Sequence, residues 1–277
     1  MGASKALPAS PRPNDRDRHE RPLAGRHAVI TGASRGIGAA VVRELIRLGA
    51  DVTLVARNGA ALAEFARGLA GGNSRVREVA ADVTDDAAVV RAFDDAAAEF
   101  GVPAILVNNA GGAESAPFAK TDPALWRRMI DLNLTSAYFC TRAVAPAMVA
   151  AGWGRIVNVA STAGLKGYGY VSAYVAAKHG VVGLTRALAV EFARTGVTVN
   201  AVCPGYTDTP MLDAAIATIA TKTKRSADDA RAGLAASNPM GRLITPEEVA
   251  AAVGFLCLPG ASSITGKTLA IDGGEIA

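Results

Sequence analysis

From residue 26 onward, short runs of β-branched residues alternate with longer runs that place apolar residues at helical spacing. The short runs predict strands buried on both faces, because several of them are continuously apolar. The predicted strands are 27–31, 51–56, 75–81, 104–108, 154–160, 197–203 and 267–271. The predicted helices are 36–49, 58–70, 85–100, 122–151, 171–195 and 246–258. This alternation is typical of an α/β protein with a parallel sheet covered by helices.

Residues 206–240 break the alternation between the sixth strand and the last helix. They have helical propensity but contain a run of Thr, Lys, Arg and Ser, so we interpret them as a segment that lies over a site. No linker-like stretch and no internal repeat occur within 24–277, which favours a single domain. Residues 1–23 are rich in Pro, Arg and Asp and lack the apolar core of a secretory signal, so we predict a disordered extension.

Composition and charge narrow the class of protein. Half of the 277 residues are apolar and only 5% are aromatic, so the core must consist mainly of Ala, Val, Leu and Ile. The formal charge is +4, and residues 1–26 hold six Lys/Arg against three acids. The remainder is nearly neutral and has no basic stripe with interleaved aromatics, which disfavours nucleic acid as a partner. The sequence has no continuous apolar stretch of membrane-spanning length, so we expect a soluble, cytoplasmic protein with no membrane partner.

The cysteines and histidines do not predict a metal site. The cysteines lie in predicted helices or strands, where they resemble small buried hydrophobes of a reducing compartment: Cys140, Cys203 and Cys257. The histidines are scattered along the chain: His19, His27 and His179. Because no cluster has the spacing of metal ligands, we expect neither a metal centre nor a histidine-based triad.

The first strand runs directly into a glycine-rich turn that precedes a helix. This glycine turn consists of Gly32, Ala33, Ser34, Arg35, Gly36, Ile37 and Gly38. Glycines allow the backbone to approach a pyrophosphate, and the N-terminus of the following helix offers free N–H groups and positive dipole charge. A tight strand-to-helix connection would also use glycines, so the turn by itself is weak evidence for a nucleotide.

Two further strands end in residues that suit a nucleotide site. The third strand ends at Asp82 and Val83, where an adenine edge would lie, and the fourth ends at Asn109, Ala110 and Gly111. The carboxyl ends of parallel strands share one edge of the sheet, and ligands of open α/β sheets bind at that edge. These residues therefore strengthen the prediction of a dinucleotide site.

The second strand indicates which dinucleotide is bound. NAD enzymes usually have an acid at the end of this strand, but here it ends in Arg57. The nearest acid, Asp51, begins the strand, about 17 Å away at roughly 3.3 Å per residue. Arg57 and Arg35 could hold a 2′-phosphate by charge-assisted hydrogen bonds, although both could also be ordinary surface arginines. We predict NADP(H).

A tyrosine and a lysine are candidates for the chemistry. Tyr174 and Lys178 lie one helical turn apart on the same face, with roughly 6 Å between their Cβ atoms. Such a pair could also be a core tyrosine beside a surface lysine. Ser161, however, follows the fifth predicted strand and so lies at the same sheet edge as the glycine turn.

Taken together, these motifs resemble the compact, single-domain branch of the short-chain dehydrogenase/reductase family. The resemblance rests on the Gly32/Gly36/Gly38 spacing, Asn108-Asn109-Ala110-Gly111, Asn133, Ser161, Tyr174, Lys178 and Pro204-Gly205, and it spans about 24–277. The glycine spacing differs from that of the extended epimerase and dehydratase branch. The resemblance implies a doubly wound Rossmann fold of about seven parallel strands with helices on both faces.

The family also implies a role for each matched residue. Tyr174 is the general acid in reduction and the base in oxidation. A phenol has a pKa of about 10, which is too high for efficient proton exchange near neutral pH. Lys178 and the oxidised nicotinamide are therefore expected to lower the pKa of Tyr174. Ser161 binds the carbonyl oxygen. Asn133 holds a water through which Lys178 relays protons, and Lys178 also binds the nicotinamide ribose.

Further family positions lie after the sixth strand and around the pocket. Pro204, Gly205 and Thr207 match the segment that touches the nicotinamide and diphosphate, and 206–240 corresponds to a substrate lid. Plausible pocket residues are Glu114, Ser115, Tyr168 and Tyr170.

The leading hypothesis is an NADPH-dependent ketoreductase, or the reverse alcohol dehydrogenase. The runs around Ser161 and Lys178 look most like those of 3-oxoacyl-carrier-protein and polyketide ketoreductases, so a 3-oxoacyl thioester is the first substrate we consider. Sugars, steroids, aromatic ketones and small diketones remain open, because one fold supports them all. A different class, a non-catalytic NADP-binding redox sensor, would need the glycine turn but not the catalytic residues.

The resemblance also implies a homotetramer or homodimer packed through 122–151, 171–195 and the last strand.

Overall fold

The computed structural model describes residues 21–69 and 73–277. Seven parallel strands form one sheet in the order β3-β2-β1-β4-β5-β6-β7. The strands are β1 (His27–Thr31), β2 (Asp51–Ala56), β3 (Val76–Ala80), β4 (Ile105–Asn108), β5 (Gly154–Val159), β6 (Val197–Pro204) and β7 (Thr268–Ile271). The order reverses between β1 and β4, which is where open α/β sheets bind their ligands. The predicted parallel sheet is confirmed.

The helices follow the strands in chain order. They are α1 (Gly36–Arg47), α2 (Gly59–Arg67), α3 (Asp86–Phe100), α4 (Pro123–Ile130), α5 (Ser136–Ala150), α6 (Ser172–Glu191), α7 (Pro210–Thr223), α8 (Ala227–Ala235) and α9 (Pro246–Cys257). The single helix predicted for 122–151 is wrong in one respect, because a π-helical turn, Asp131–Thr135, separates α4 from α5. The other predicted helices differ from the observed ones only at their ends.

Most of these helices begin at a residue whose side chain caps the free N–H groups. Such N-caps are strongly preferred because they satisfy donors that have no partner within the helix. The capping residues are Asn58, Asp85, Asp122, Thr209, Ser226 and Thr245. Thr245 and Glu248 form a reciprocal capping box at the start of α9. The local sequence therefore fixes where these helices begin.

Two apolar layers cover the two faces of the sheet. On one face, Val41 and Leu45 of α1 pack with Val249 and Val253 of α9 against the strands. On the other face, buried residues of α3 and α5 pack against the strands: Val89, Phe93, Cys140, Val144 and Met148. The layers consist almost entirely of aliphatic residues, as the composition predicts.

The folded part begins earlier than the predicted boundary at residue 24. Leu23 is fully buried in the layer under α1 and α9, and its N–H donates to the Leu48 carbonyl at 2.9 Å. Residues 21–23 therefore belong to the domain, which corrects the predicted 1–23 extension at its end. The rest of that extension, residues 1–20, lies outside the described residues.

The 206–240 segment forms α7 and α8, which pack against each other. Leu212 and Ile216 of α7 and Ala230 of α8 form a small separate cluster, with Tyr206 at its side. The Arg231 guanidinium lies 2.6 Å from an Asp208 carboxylate oxygen and 3.3 Å from one of Asp213. The segment thus has its own core and its own ion pairs, apart from the main apolar layers. Its function as a lid stays a prediction.

The described residues also bear on membrane spans, metal sites and the state of the cysteines. None of the helices at 21–69 and 73–277 is long and apolar enough to cross a membrane. In the same ranges, no group of three His, Cys, Asp or Glu side chains could hold a metal ion. All three cysteines are buried, and burial raises the pKa of each thiol: Cys140 and Cys257 to about 12 and Cys203 to about 11.

Candidate active site

The loop after β4 is tied to the end of β1, and together they form the floor of the candidate site. The Thr31 hydroxyl accepts hydrogen bonds from the N–H groups of Asn109 and Ala110, both at 3.0 Å. In return, the Asn109 side chain donates to the carbonyls of Thr31 and Gly32 at 2.9 and 3.1 Å. These bonds fix the glycine turn against Asn109, Ala110 and Gly111.

The glycine turn leaves no room for side chains where it bends. Gly32 has a φ of +64° and Gly36 a φ of +54°, values that favour glycine. A Cβ at Gly38 would lie 2.2 Å from the Gly32 carbonyl oxygen, which no real packing allows. The side chain of Ile37 packs on the apolar layer, and Ser34 remains partly exposed. The turn therefore places backbone, rather than side chains, at the edge of the sheet.

The helix that follows this turn begins without a cap. Arg35 is the N-cap residue of α1, its side chain makes no capping hydrogen bond, and the first turn contains no acid. Most other helices of the described chain are capped by Asn, Asp, Ser or Thr. The uncapped N–H groups and the positive end of the helix dipole are what a phosphate group binds. This feature fits the diphosphate of a dinucleotide.

Two arginines lie at the exposed edge beside the turn. Arg35 and Arg57 are exposed, and neither has a hydrogen-bond or ion-pair partner within 21–69 and 73–277. Arg57 lies near Asp82. Burial tends to raise the pKa of Asp82, but hydrogen bonds from Thr84 and the charge of Arg57 outweigh it and lower the pKa. Both guanidinium groups are thus available to an anion at this edge.

The residues predicted at the adenine edge have structural roles as well. One Asp82 carboxylate oxygen accepts from the Thr84 N–H at 3.0 Å and from its hydroxyl at 2.8 Å, which closes a tight turn before α3. Val83 is buried in the apolar layer under α3. The other carboxylate oxygen of Asp82 makes no hydrogen bond within the described residues and could accept one from a ligand.

Ser161 follows β5 at the same edge of the sheet. Its backbone is fully extended, and its hydroxyl accepts from the Ala163 N–H at 3.1 Å, which caps the short 3-10 helix Thr162–Gly164. The hydroxyl proton is therefore free to point towards a ligand. The Ser161 hydroxyl also lies close enough to the Tyr174 phenol to lower its pKa, which favours the ionised form.

Tyr174 and Lys178 project from the first turns of α6 towards this edge. The Lys178 ammonium lies 5.6 Å from the centre of the Tyr174 ring and donates to the Val159 carbonyl at 2.9 Å. Lys178 is buried, whereas Tyr174 is partly exposed at this edge of the sheet. The structure therefore brings Ser161, Tyr174 and Lys178 together, as the sequence predicts.

Burial determines the pKa of both groups. It raises the pKa of the Tyr174 phenol, and the Ser161 hydroxyl opposes the rise only in part. It lowers the pKa of the Lys178 ammonium to about 8. Desolvation of the phenol thus outweighs the lowering by Ser161 in the protein without cofactor, and the lowering expected from Lys178 together with the oxidised nicotinamide stays a prediction.

Asn133 lies in the π-helical turn between α4 and α5. Its side-chain oxygen accepts from the Gly112 N–H at 3.1 Å, and its amide donates to the carbonyls of Gly112 and Met129 at 2.9 and 3.0 Å. A Cβ at Gly111 would lie 2.8 Å from the Asn133 oxygen and 3.6 Å from the Lys178 ammonium. Asn133 thus stands beside Lys178, but its side chain is committed to the loop. The water-holding role implied for Asn133 would need its main-chain carbonyl.

The segment after β6 passes over the glycine turn. Pro204 ends the buried strand, and the Thr207 hydroxyl donates to the Gly205 carbonyl at 3.0 Å. A Cβ at Gly36 would lie 3.2 Å from the methyl group of Thr209. The predicted diphosphate segment, 204–207, therefore lies next to the turn that it is predicted to assist.

The predicted pocket residues differ in exposure, and the Ala116 N–H, next to Ser115, donates to the Tyr170 carbonyl at 2.8 Å and joins their two segments. Glu114 makes a two-pronged salt bridge with Arg128, and both side chains are exposed, as is Ser115. Tyr170 is 71% exposed and has a φ of +66°, a backbone conformation that is unusual outside glycine. Tyr168, by contrast, is partly buried, and its hydroxyl lies 2.6 Å from that of Thr162 in the loop 161–166, which we call the catalytic loop.

The sequence-based prediction missed the buried polar residues that support the site. The Asn108 amide donates to the side-chain oxygen of Asn158 at 2.8 Å, and the Asn158 amide donates to the Thr185 hydroxyl at 2.8 Å. This chain of bonds links β4, β5 and α6, which carry Asn109, Ser161 and Tyr174. A polar residue inside the apolar run of β5 was the available signal for Asn158.

Comparison with known proteins defines the class. The family model for short chain dehydrogenases matches residues 26–220. This chain belongs to the short chain dehydrogenase family and is therefore an oxidoreductase, and the predicted membership is confirmed.

Relatives and one solved structure agree with this assignment. Cis-4-hydroxycyclohexanecarboxylate dehydrogenase of Sinomonas cyclohexanicum is 45% identical over 92% of this chain and 98% of the relative. The 3-oxoacyl-acyl-carrier-protein reductase of Pseudomonas aeruginosa is 37% identical over 91% of this chain and 98% of the relative. A crystal structure of actinorhodin polyketide ketoreductase with NADPH is 36% identical and covers 90% of this chain and 97% of that one, with a TM-score of 0.87. The predicted likeness to ketoreductases is confirmed.

Proposed function

We propose that this protein interconverts a ketone and a secondary alcohol with NADP(H) as the hydride carrier. The observation that carries the proposal is the convergence of Ser161, Tyr174, Lys178 and Asn133 on the sheet edge that the glycine turn shapes. A redox sensor would need the turn alone. The catalytic groups and the turn occur together here, which supports an enzyme rather than a sensor.

The residues present fit a dinucleotide phosphate. The glycine turn admits no Cβ at Gly38, and the N-terminus of α1 keeps its N–H groups free of a cap. Arg57 and Arg35 supply positive charge where the second strand ends, and no acid stands there to hold a ribose hydroxyl. When bound, the cofactor donates or accepts the hydride. The related actinorhodin ketoreductase was crystallised with NADPH, which also supports this choice.

In reduction, the reacting oxygen is bound by two hydroxyl groups. The Ser161 hydroxyl donates a hydrogen bond to the carbonyl oxygen and stabilises the negative charge that develops there. The Tyr174 phenol then transfers its proton to the same oxygen, which yields the alcohol. Because burial keeps the pKa of Tyr174 high, the phenol holds its proton at neutral pH and is available as an acid.

Lys178 has two roles in this proposal. Its ammonium lies close enough to the Tyr174 ring to stabilise a phenolate after proton transfer. Its pKa of about 8 leaves it able to give up and regain a proton near neutral pH, which suits a relay to solvent. Asn133 braces the loop beside it and keeps the ammonium and Gly111 in register.

Two substrate classes are supported by relatives. The first is a 3-oxoacyl thioester, in line with the name of the Pseudomonas aeruginosa relative. The second is a cyclic secondary alcohol or its ketone, in line with the name of the Sinomonas relative at 45% identity. Both use the same carbonyl chemistry at Ser161 and Tyr174, so the difference must lie in the pocket.

The direct test measures NADPH absorbance in the presence of a ketone panel. The panel contains acetoacetyl-CoA, ethyl acetoacetate and cyclohexanone, and the reverse reaction is followed with the matching alcohols. We expect turnover with at least one of these ketones and much weaker turnover with NADH. If the protein binds NADPH but none of the ketones causes a loss of NADPH absorbance, the result favours the redox sensor instead.

A further inference from the structure

A buried carboxylate from the C-terminal turn stands next to the candidate active site. Glu275 has a side chain that is only 1% exposed, although it follows the last strand and lies near the chain end. Asp272 fixes this turn, since its carboxylate accepts from the N–H groups of Gly274 and Ile276 at 3.1 and 3.0 Å. The turn therefore holds the Glu275 carboxylate in one place.

The Glu275 carboxylate is bonded to the loop that follows Ser161. The Tyr168 hydroxyl donates to one Glu275 oxygen at 2.5 Å and lies 2.6 Å from the Thr162 hydroxyl. The Lys166 ammonium lies 3.0 Å from the same Glu275 oxygen. Thr162 is the neighbour of Ser161 in sequence, so these bonds connect the C-terminal turn to the catalytic loop.

Stability alone does not explain a glutamate at this position. The second carboxylate oxygen of Glu275 is buried without a hydrogen-bond partner among the described residues, and it lies 2.9 Å from where a Cβ of Gly205 would be. A buried carboxylate with one oxygen unpaired costs free energy that an apolar side chain of similar volume would not. Buried polar groups that cost stability in this way occur most often at functional sites.

The bonds to Tyr168 occupy its hydroxyl group. Because Thr162 and Glu275 engage the hydroxyl, only the ring of Tyr168 is left to face a ligand. That ring meets the ring of Tyr206 edge-on, with centroids 6.2 Å apart and planes at 81°. Tyr206 follows Gly205 after β6 and packs beside the cluster of Leu212, Ile216 and Ala230. The two rings therefore lie between the catalytic loop and the 206–240 segment.

We propose that Glu275 is a positioning residue that fixes Tyr168, so that Tyr168 and Tyr206 form an apolar wall of the substrate site and set the affinity for the ketone. This inference rests on the proposed function, because it assumes that a ketone binds at Ser161 and Tyr174. The substrate class that fits this wall is a ketone with an apolar substituent facing Tyr168 and Tyr206. Glu275 acts through Tyr168 and does not touch the reacting atoms.

The test compares variants of Glu275 and Tyr168 in the full chain, with ethyl acetoacetate and cyclohexanone as probes. Glu275→Leu removes the acceptor for the Tyr168 hydroxyl, and Tyr168→Phe removes the donor. We expect each variant to raise KM about tenfold while kcat stays within about threefold. The double variant should be no worse than either single one, since both remove the same bond.

Two control variants separate this role from a general effect on folding. Glu275→Gln keeps an oxygen that accepts from the Tyr168 hydroxyl, so its KM should stay within about threefold of the wild type. Glu247→Gln removes an exposed acid from the first turn of α9 and should change neither constant. An unchanged KM in folded Glu275→Leu, or additive effects in the double variant, would overturn the proposal. Should Glu275→Leu not fold, an unchanged KM in Tyr168→Phe has the same meaning.

A second readout does not depend on turnover. Near-ultraviolet circular dichroism reports the fixed, asymmetric surroundings of tyrosine rings. We expect Glu275→Leu to change the tyrosine band and Glu275→Gln to preserve it; an identical band in Glu275→Leu contradicts the positioning role. If the wild type consumes NADPH with none of the ketones, the proposed function fails, and the dichroism still decides whether Glu275 fixes Tyr168.

Discussion

Lys178 shows how the burial of one charge affects both the chemistry and the stability. Burial lowers the pKa of this ammonium from 10.5 to about 8. Below pH 8 the folded protein must keep the charged form in a desolvated place, which costs free energy. Between pH 8 and 10.5 the unfolded chain still binds a proton that the folded chain has released, so the folded state becomes relatively more stable.

A Lys178→Met variant tests whether the stability of the wild type rises with pH. Methionine fills the space without titrating, so we expect the free energy of unfolding of the wild type to rise relative to the variant between pH 7 and 10.5. A pKa shift of this size corresponds to at most about 3 kcal/mol. Urea unfolding curves at several pH values give the difference. A difference that stays constant over this window contradicts a desolvated ammonium at residue 178.

Arg57 and Arg35 should decide between NADPH and NADH. Both guanidinium groups are exposed at the end of β2 and at the glycine turn, where a 2′-phosphate would lie. We expect Arg57→Ala to raise the Kd for NADPH about tenfold and Arg35→Ala to act in the same direction, because each removes a charge-assisted hydrogen bond. The Kd for NADH should stay within about twofold, as measured by the fluorescence of the bound nicotinamide.

The matched control for these arginines is Arg67→Ala. Arg67 is exposed in the last turn of α2, and its side chain makes one hydrogen bond to the described residues, to the Ala63 carbonyl, so its removal should leave both Kd values unchanged. Equal loss of NADPH and NADH binding in Arg57→Ala would instead indicate damage to the turn.

At the residue scale, the sequence predicted the groups with chemistry better than the groups that support them. Ser161, Tyr174 and Lys178 stand in motifs, and the structure brings them together. The sequence does not reveal the partners of Thr31 and Asn158, because their bonds join strands that are distant in the chain, although Asn158 is conspicuous as a polar residue in an apolar run. The high pKa of Tyr174 also depends on burial, which no spacing of residues reveals.

At the element scale, the glycine turn and α1 act as one unit. Gly38 lies at the start of α1, where an added Cβ would meet the Gly32 carbonyl oxygen at 2.2 Å. We expect Gly38→Ala to open the turn, to lower the free energy of unfolding by about 1–3 kcal/mol and to weaken NADPH binding more than about tenfold. Chemical unfolding and cofactor titration measure the two effects.

Gly183 provides the control for this substitution. It lies inside α6 with nothing within 4 Å of an added Cβ, so alanine meets no obstacle there. Alanine favours a helix over glycine by roughly 0.5–1 kcal/mol, so Gly183→Ala should be neutral or slightly stabilising. Similar losses at both positions would contradict the account, because the tight turn at Gly38 would then not be the cause of its loss.

The periodicity of the sequence predicted the elements but not their interruptions. The stretch 122–151 has helical spacing throughout, and its π-helical turn shifts the pattern by only one residue. That turn nevertheless places Asn133 beside Gly111 and Lys178. The segment 206–240 has helical propensity, but the bounds and packing of its two helices were not predicted, because their apolar residues form a separate cluster around Leu212 and Ile216. Local propensity cannot show which core a helix joins.

At the scale of the whole molecule, large apolar groups are exposed on α5, α9 and β7, and the resemblance implies assembly through the stretches that contain α5 and β7. Tyr138 of α5 is 46% exposed, Phe255 of α9 is 49% exposed and Leu269 of β7 is 39% exposed. β7 is also an edge of the sheet. We expect a homotetramer or a homodimer, so light scattering should give about four or two times the chain mass of 28.2 kDa. A mass of one chain at micromolar concentration contradicts this expectation.

The architecture followed from the sequence in two steps. The alternation of apolar runs predicted a parallel sheet with helices on both faces, which the seven strands and two apolar layers confirm. The doubly wound arrangement required the resemblance, and no strand order was predicted, because spacing along the chain does not say which strands pair. The beginning of the domain was misplaced, since Leu23 follows a proline-rich stretch and its burial depends on α1 and α9.

The central claim is that the phenol of Tyr174 gives its proton to the substrate oxygen beside Ser161 and Lys178. The most direct measurement compares Tyr174→Phe with the wild type for NADPH binding and for NADPH consumption with ketones. Tyr138→Phe, at an exposed tyrosine of α5, serves as the control. We expect Tyr174→Phe to bind NADPH with unchanged Kd and to lose kcat by a factor of about 100 to 10,000, while Tyr138→Phe keeps its rate. Turnover by Tyr174→Phe at the wild-type rate would contradict the account.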